Sequence, residues 1–256
     1  TILGLLKNDY AVGIYSTSVK IYQIAQGLLS ALLTVTIPRL AFLWGQKRIN
    51  EYNQVLSKVL DSLGILVLPA AIGLIMLSRE VVLIIASRKY LPAVNSLRII
   101  SWAMIFSIFS WIFSDCVLIP AKREDLVLRN TIITAVENII LNLILIPSMS
   151  YDGTSLSTVL AEFTVMIMNG YSCWDIIKPV IFKKETLKNL LDSIIGCIGI
   201  IVVCLLCSFS FESMIWRTIF SVTLSVIMYG AILVLLKNKN IYSILDKTKK
   251  IIKSKF

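Results

Sequence analysis

Apolar residues in this chain come in runs long enough to cross a bilayer. Stretches of about 20 such residues mark transmembrane helices. Seven spans are predicted, near 11–44, 60–78, 99–119, 130–148, 154–176, 190–209 and 214–236. The first is too long for one straight crossing. At 1.5 Å per residue it extends roughly 50 Å against a hydrocarbon core of about 30 Å, so it tilts, kinks or projects into water. Pro38 near its end predicts a kink or a stop, and Pro69 a bend in the second span. Pro120 and Pro147 close the third and fourth. The segment 79–98 is amphipathic and shorter than a span, which reads as an interfacial helix or a re-entrant turn.

Polar positions inside the spans carry the chemistry. Lys20, Glu137 and Glu162 each lie about ten residues into a span. A charge at that depth costs at least ~3 kcal/mol, so such residues face a water-filled cavity or one another. In the first span Thr17, Lys20, Gln23, Gly27, Ser30 and Thr34 recur at steps of three and four and form one polar stripe. The third carries Ser107, Ser110 and Ser114 with Asp115 beside them. The fourth carries Thr131, Thr134, Asn138 and Asn142 with Glu137 adjacent, and the fifth Ser155, Thr158, Glu162 and Asn169. Two readings stay open. The three ionisable groups share a wet compartment, or Lys20 pairs with a carboxylate while Asn and Ser bond between helices. Asp115, about one turn from a span end, either joins the compartment or caps and pairs with Lys122. Gly64 and Gly73 beside Pro69, and Gly196 and Gly199 in the sixth span, fit close helix packing.

Composition narrows the class. Hydrophobic residues make up 57% of the 256 residues and charged ones 16%, too little charge to cover a soluble surface of this size. There is no histidine, which removes Ser/His/Asp and Cys/His catalysis and most zinc sites. Cys116, Cys173, Cys197, Cys204 and Cys207 fall within or at the ends of apolar spans and read as packing residues, the Cys204-x-x-Cys207 spacing included. No metal or cofactor site is expected, and no enzymatic activity: the Glu124-Asp125 pair of a loop lies among Lys122, Arg123 and Arg129 and reads as solvated. The chain opens without Met inside an apolar run, Thr1 to Leu6, which reads as a C-terminal piece of a longer protein.

The net charge of +10 orients the spans. One side carries Lys47, Arg48, Lys58, Lys122, Arg123, Arg129, Lys178, Lys183, Lys184 and Lys188, together with a lysine-rich tail. The opposite side carries only Lys7, Arg79, Arg88, Lys89, Arg98 and Arg217. The positive-inside rule places the basic side and the C-terminus in the cytoplasm. The basic balance is therefore topogenic, with some attraction to anionic lipid, and nucleic acid is not a partner. The outer cations of 79–98 fit an exposed interfacial helix or a docking surface for an anionic headgroup.

The order of features resembles a known family. Asp9-Tyr-Ala-Val-Gly-Ile-Tyr15, then Lys20 and Ile37-Pro38-Arg39-Leu40, is similar to the first complete helix in the C-terminal half of polysaccharide flippases, the Wzx-type O-antigen and capsule transporters of the MOP exporter superfamily. That superfamily also includes lipid II flippases and MATE antiporters. Leu68-Pro69-Ala-Ala-Ile-Gly73, Ser78-Arg-Glu-Val-Val-Leu-Ile-Ile85, Lys89-Tyr90, Ile146-Pro147, Tyr151-Asp-Gly-Thr-Ser-Leu-Ser-Thr158 and Glu162 continue the resemblance over nearly the whole chain. It implies an all-α polytopic bundle of about seven spans, the C-terminal half of a MOP/MATE-like 14-helix fold. Residues 1–178 would form a transport bundle, 179–236 two accessory transmembrane helices and 237–256 a basic cytoplasmic tail.

The implied function is flipping of undecaprenyl-diphosphate-linked oligosaccharide across the bacterial cytoplasmic membrane for O-antigen or capsule synthesis. Membrane lipids and a polysaccharide polymerase machinery would be partners. Lys20 would bind the diphosphate, with Gln23, Arg39, Asn138, Asn142 and Asn169 on the cavity wall. Glu137, Glu162 and Asp115 would serve coupling or ion pairing. The alternative is a MATE-like cation-coupled multidrug antiporter.

Overall fold

The computed structural model describes residues 2–238 and 240. Most of the basic tail, including Lys239 and the five lysines beyond 240, lies outside the described residues. The described residues are helical, with no strand among them. A short α1 (Ile2–Leu6) precedes α2 (Asp9–Gly45), α3 (Ile49–Met76), α4 (Ser78–Ile85) and α5 (Ala93–Phe113). α6 (Glu124–Met149), α7 (Tyr151–Ser172), α8 (Trp174–Ile181), α9 (Lys184–Ser210) and α10 (Met214–Leu235) follow.

Six of these helices are long and apolar enough to cross a membrane: α2, α3, α5 with its extension to Leu118, α6, α9 and α10. The fifth expected span, α7, is a helix of 22 residues but does not reach that apolarity. Its sequence explains why. Ser155, Ser157, Thr158, Glu162, Thr164 and Asn169 dilute the run, and α7 lies against α5, α6 and α2. The segment 79–98 resolves into the eight-residue α4, a 3-10 turn at Arg88–Tyr90 and the first turn of α5.

α5 is the hub. Leu97, Ile100, Ala103, Met104, Ile108 and Ile112 are buried along its length, against α2, α3 and α7. α6 packs outside α7, while α9 packs on α3 and carries α10. The last two helices are tied to one another: Asn189 and Asp192 of α9 are buried and both accept from Asn238 Nδ2, at 3.0 and 2.9 Å.

Local signals explain the helix ends. Asn8 caps α2 by accepting the Ala11 N–H at 2.9 Å. Pro38 neither stops nor breaks α2, which runs on to Gly45 and extends about 55 Å. Pro147 sits inside the last turn of α6, two residues before its end at Met149. Lys47, Lys122 and Lys237 stop three helices at φ 57°, 58° and 54°. Each helix closes with paired bonds to the last turn, such as Lys122 N–H to Ile119 O at 3.0 Å and Arg123 N–H to Leu118 O at 2.9 Å. These left-handed caps are usually glycine. Lysine there accepts backbone strain and places a cation at the negative end of the helix, on the basic side of the topology.

The α6–α7 hairpin turns on one residue, Ser150. A Cβ on Gly153 would stand 2.6 Å from Leu145 O and 2.8 Å from Leu145 C, both backbone atoms. Gly153→Ala is expected to destabilise the protein by about 1–3 kcal/mol, measured by thermal unfolding in detergent. Lys122→Gly is expected to stabilise it by about 1 kcal/mol in the same assay, since glycine relieves the left-handed strain at a smaller entropic cost.

Candidate functional site

Cross-helix bonds fix the register of the bundle. Ser18 Oγ donates to Ala93 O at 3.0 Å and Gln26 Nε2 to Ser107 Oγ at 2.7 Å, so α2 and α5 run parallel. Ser96 meets Ser155 at 2.5 Å and Asn169 Nδ2 donates to Ser110 Oγ at 3.1 Å, so α5 and α7 are parallel too. Thr164 Oγ1 donates to Glu137 Oε1 at 2.9 Å, while Asn130 Nδ2 donates to Asn169 Oδ1 at 2.9 Å, so α6 runs antiparallel to α7. Tyr15 meets Thr158 at 3.2 Å between α2 and α7. Five residues on from Tyr15, Lys20 is level with Glu162, four on from Thr158. Glu137 is level with Thr164, two residues from Glu162, which is about 3 Å along the axis.

Lateral placement differs among the three. Lys20, Gln23, Gly27 and Thr34 are all exposed on one face of α2. Ser18, Tyr22, Leu29, Leu33 and Leu40 lie buried on the opposite face. The polar stripe therefore points away from α5. Glu137 and Glu162 are half-buried, and Glu137 faces α7 through Thr164. Glu162 makes no hydrogen bond or ion pair among the described residues. The ion pairs among them are Arg48–Glu51, Arg123–Asp175 and Arg217–Glu80. Lys20 is in none of these, so the alternative in which Lys20 pairs with a carboxylate does not occur here. Arg39 is exposed further along α2.

The remaining candidates divide. Asn169 is 2% exposed, and both its oxygen and its nitrogen are engaged across helices. It locks α6 and α5 to α7 and presents nothing to a cavity. Asn142 donates to Asn138 O at 2.8 Å and Asn138 Oδ1 at 3.0 Å, while its own Oδ1 is buried without a partner, as is Thr154 Oγ1. Asp115 accepts from Ser114 Oγ at 2.7 Å within a π turn, Ser114–Leu118, and does not pair with Lys122. That turn holds the Cys116 carbonyl where the buried Tyr52 hydroxyl donates to it at 2.8 Å.

Sequence reasoning passed over Gln26, Tyr22 and Asn130. Gln26 Nε2 donates to Tyr22 Oη and Ser107 Oγ, both at 2.7 Å, in a buried α2–α5 cluster. The i, i+4 spacing of Tyr22 and Gln26 was the available signal, set on the face opposite Lys20. Asn130 lies two turns from the loop and pairs with Asn169 and Ser172. Among the described residues no group of His, Cys, Asp or Glu is placed to hold a metal, and the five cysteines are free and buried.

A helical membrane bundle built around a continuous hub, with ionisable groups at one depth on three helices, has the architecture of a polytopic transporter. The sequence model of the family described as "Lipid II flippase MurJ" matches residues 8–227, and the chain belongs to that family. A solved structure titled "Lipid II flippase MurJ, inward closed conformation" is similar, with a TM-score of 0.67 and 17% identity. The likeness covers 92% of this chain and 50% of that one, so this chain spans half the length of that structure. At that identity the likeness carries the fold alone. No curated protein matches the sequence. The resemblance to the MOP superfamily therefore holds at the level of lipid-linked flippases. The branch reached is the lipid II family, and the O-antigen type is not the one matched.

Asn169→Ala leaves Asn130 and Ser110 without their shared partner. It is expected to lower stability by about 1–2 kcal/mol, whereas the exposed Thr131→Ala should change it by less than about 0.5 kcal/mol, both read by thermal unfolding in detergent.

Proposed function

We propose that this chain forms the C-terminal half of a flippase that carries a polyprenyl-diphosphate-linked saccharide across the bacterial cytoplasmic membrane, with lipid II as its cargo. The observation that carries the reading is Lys20. It stands exposed on the face of α2 turned away from the bundle core, in a chain whose match to the lipid II flippase family runs over residues 8–227. A diphosphate in a low-dielectric chamber needs a cation, and a charge-assisted bond from an ammonium supplies it. Gln23 on the same face offers a donor and an acceptor to sugar hydroxyls, and Thr34, whose hydroxyl donates to Ser30 O, offers an acceptor. Arg39 lies about 28 Å further along α2 and would meet the diphosphate at one end of its path. Glu162, level with Lys20 and unpaired among the described residues, would exchange a cation or proton as the charge on Lys20 is taken up and released. Asn138 and Asn142 would line the wall on α6. The C-terminus is read as cytoplasmic from the lysines of the loops.

Lys20→Ala is expected to abolish growth rescue in cells depleted of their lipid II flippase, with the variant still present in the membrane. Lys20→Arg should retain it. Full rescue by Lys20→Ala would remove Lys20 from the substrate path. Rescue of a surface-polysaccharide flippase mutant, with none of the lipid II strain, would move the cargo to the O-antigen class.

A further inference from the structure

Pro69 lies inside α3, which runs on to Met76. It has no N–H, so it cannot give the Ile65 carbonyl, four residues earlier, the bond that an ordinary helix residue would. Ile65 is buried, and in hydrocarbon a carbonyl freed by proline has to be satisfied by a neighbour. The neighbour here is α10. Tyr229 Oη donates to Ile65 O at 2.6 Å. The donor that Pro69 withholds from within α3 thus comes from another helix.

Two pairs of glycines have opposite surroundings. Gly196 and Gly199 of α9 seat α10: a Cβ on the first would run into the Tyr229 ring, and on the second into Ile232. Tyr229 Oη also meets Ser193 Oγ of α9 at 3.3 Å. Gly64 and Gly73 stand on either side of Pro69 in α3. A Cβ added at either meets nothing within 4 Å, so close packing, expected for them from the sequence, does not account for them. Glycine inside a helix loosens it, and with Pro69 between them the two make a hinge of α3. α10 spans that hinge. Tyr229 holds α3 on the Ile65 side. Arg217, about 18 Å away along α10, pairs at 2.6 Å with the buried Glu80 of α4, beyond the Met76 end of α3. A change of angle at Pro69 has to release one of these two contacts. Parting Arg217 from Glu80 would strand a buried charge. The hydroxyl bond is the easier to open, since a single interhelical bond in a membrane shifts an equilibrium only about three-fold.

We propose that Tyr229 is a latch on a proline hinge: it completes α3 at Ile65 in the conformation seen here and releases it when the bundle changes conformation. A bond supplied by another helix breaks and re-forms without unwinding α3, so the bend of α3 follows the position of α10. The inference concerns movement and holds whichever cargo is carried.

Hydrogen exchange of the full-length protein in nanodiscs, read by mass spectrometry on the α3 peptide across Pro69, tests the latch. Tyr229→Phe keeps the ring and loses the hydroxyl. It is expected to speed exchange in that peptide about three-fold and to leave the α6 peptides unchanged. Pro69→Ala restores an N–H at the hinge. In that background Tyr229→Phe should change nothing, because Ile65 O again has a donor within its own helix. Ser193→Ala, which spares the bond to Ile65, should behave as wild type. A ring that only packs would be indifferent to residue 69. Unchanged exchange in Tyr229→Phe, or an equal rise in the Pro69→Ala background, overturns the proposal. Should Pro69→Ala not fold, Tyr229→Phe against Ser193→Ala decides, and equal effects of the two count against the latch. Movement is read by growth rescue. Pro69→Ala, with α3 stiffened, is expected to lose rescue while its level in the membrane stays that of wild type. Full rescue by that variant would show that the hinge is not used and end the proposal. Failure of the wild type itself to rescue strikes the flippase reading, and the exchange measurements then decide the latch alone.

Discussion

A polar side chain at mid-bilayer must find a partner there or reach water, because hydrocarbon offers no hydrogen bond. This constraint organises the bundle more than apolar packing does. Lipid tails are as apolar as leucine, so burying Leu97 or Ile108 of α5 gains little over leaving them in lipid. Ser96, Ser107 and Ser110 of that helix act differently. Each meets a polar group on a particular neighbour: Ser155 and Asn169 on α7, and Gln26 on α2. Single bonds of this kind contribute about 0.6 kcal/mol on average. Their larger effect is on register, since a shift of one residue along either helix would leave both members unpaired.

Register then decides what the ionisable groups can do. With α2, α5 and α7 parallel and pinned, Lys20 and Glu162 come to one level, and Glu137 joins them through Thr164. The same pinning turns α2 so that its serine, tyrosine and Gln26 face inward while Lys20, Gln23 and Thr34 face outward. One helix thus carries two polar stripes on opposite sides. The inner one is committed to neighbouring helices, while on the outer one the Thr17, Ser30 and Thr34 hydroxyls bond only their own helix backbone and Lys20 stands outside the ion pairs. Chemistry that needs a free donor or cation can only use the outer stripe.

Depth was legible in the sequence and azimuth was not. Counting residues into an apolar run located the spans and set Lys20, Glu137 and Glu162 at equal depth, because rise per residue is fixed. Whether Asn169 met solvent or Asn130 depended on which helix lay beside it, and one chain read residue by residue does not contain that. The ion pair between Glu80 and Arg217 links positions far apart in sequence and had no local sign. Pro38 misled for a related reason. A proline removes one donor and adds a steric push, yet α2 is long enough, and held on both sides of it by Leu33 and Leu40, to carry through. The lysine caps were hidden because the left-handed position is read from glycine. The apolar run at 154–176 located α7, but the polar groups of α7 also carry it below the apolarity of its neighbours.

The two last helices show how the same constraint fixes a space as well as a contact. α9 and α10 approach closely where Gly196 faces the Tyr229 ring, and Tyr229 Oη donates across to Ile65 O of α3 at 2.6 Å. At one end Arg217 of α10 reaches Glu80 of α4 at 2.6 Å. At the other Asn238 holds Asp192 and Asn189 of α9. The pair is thereby tied at both ends and the middle, to α3 and α4 on one flank. Toward α7 the same arrangement leaves an apolar groove between α3, α5, α7 and α9.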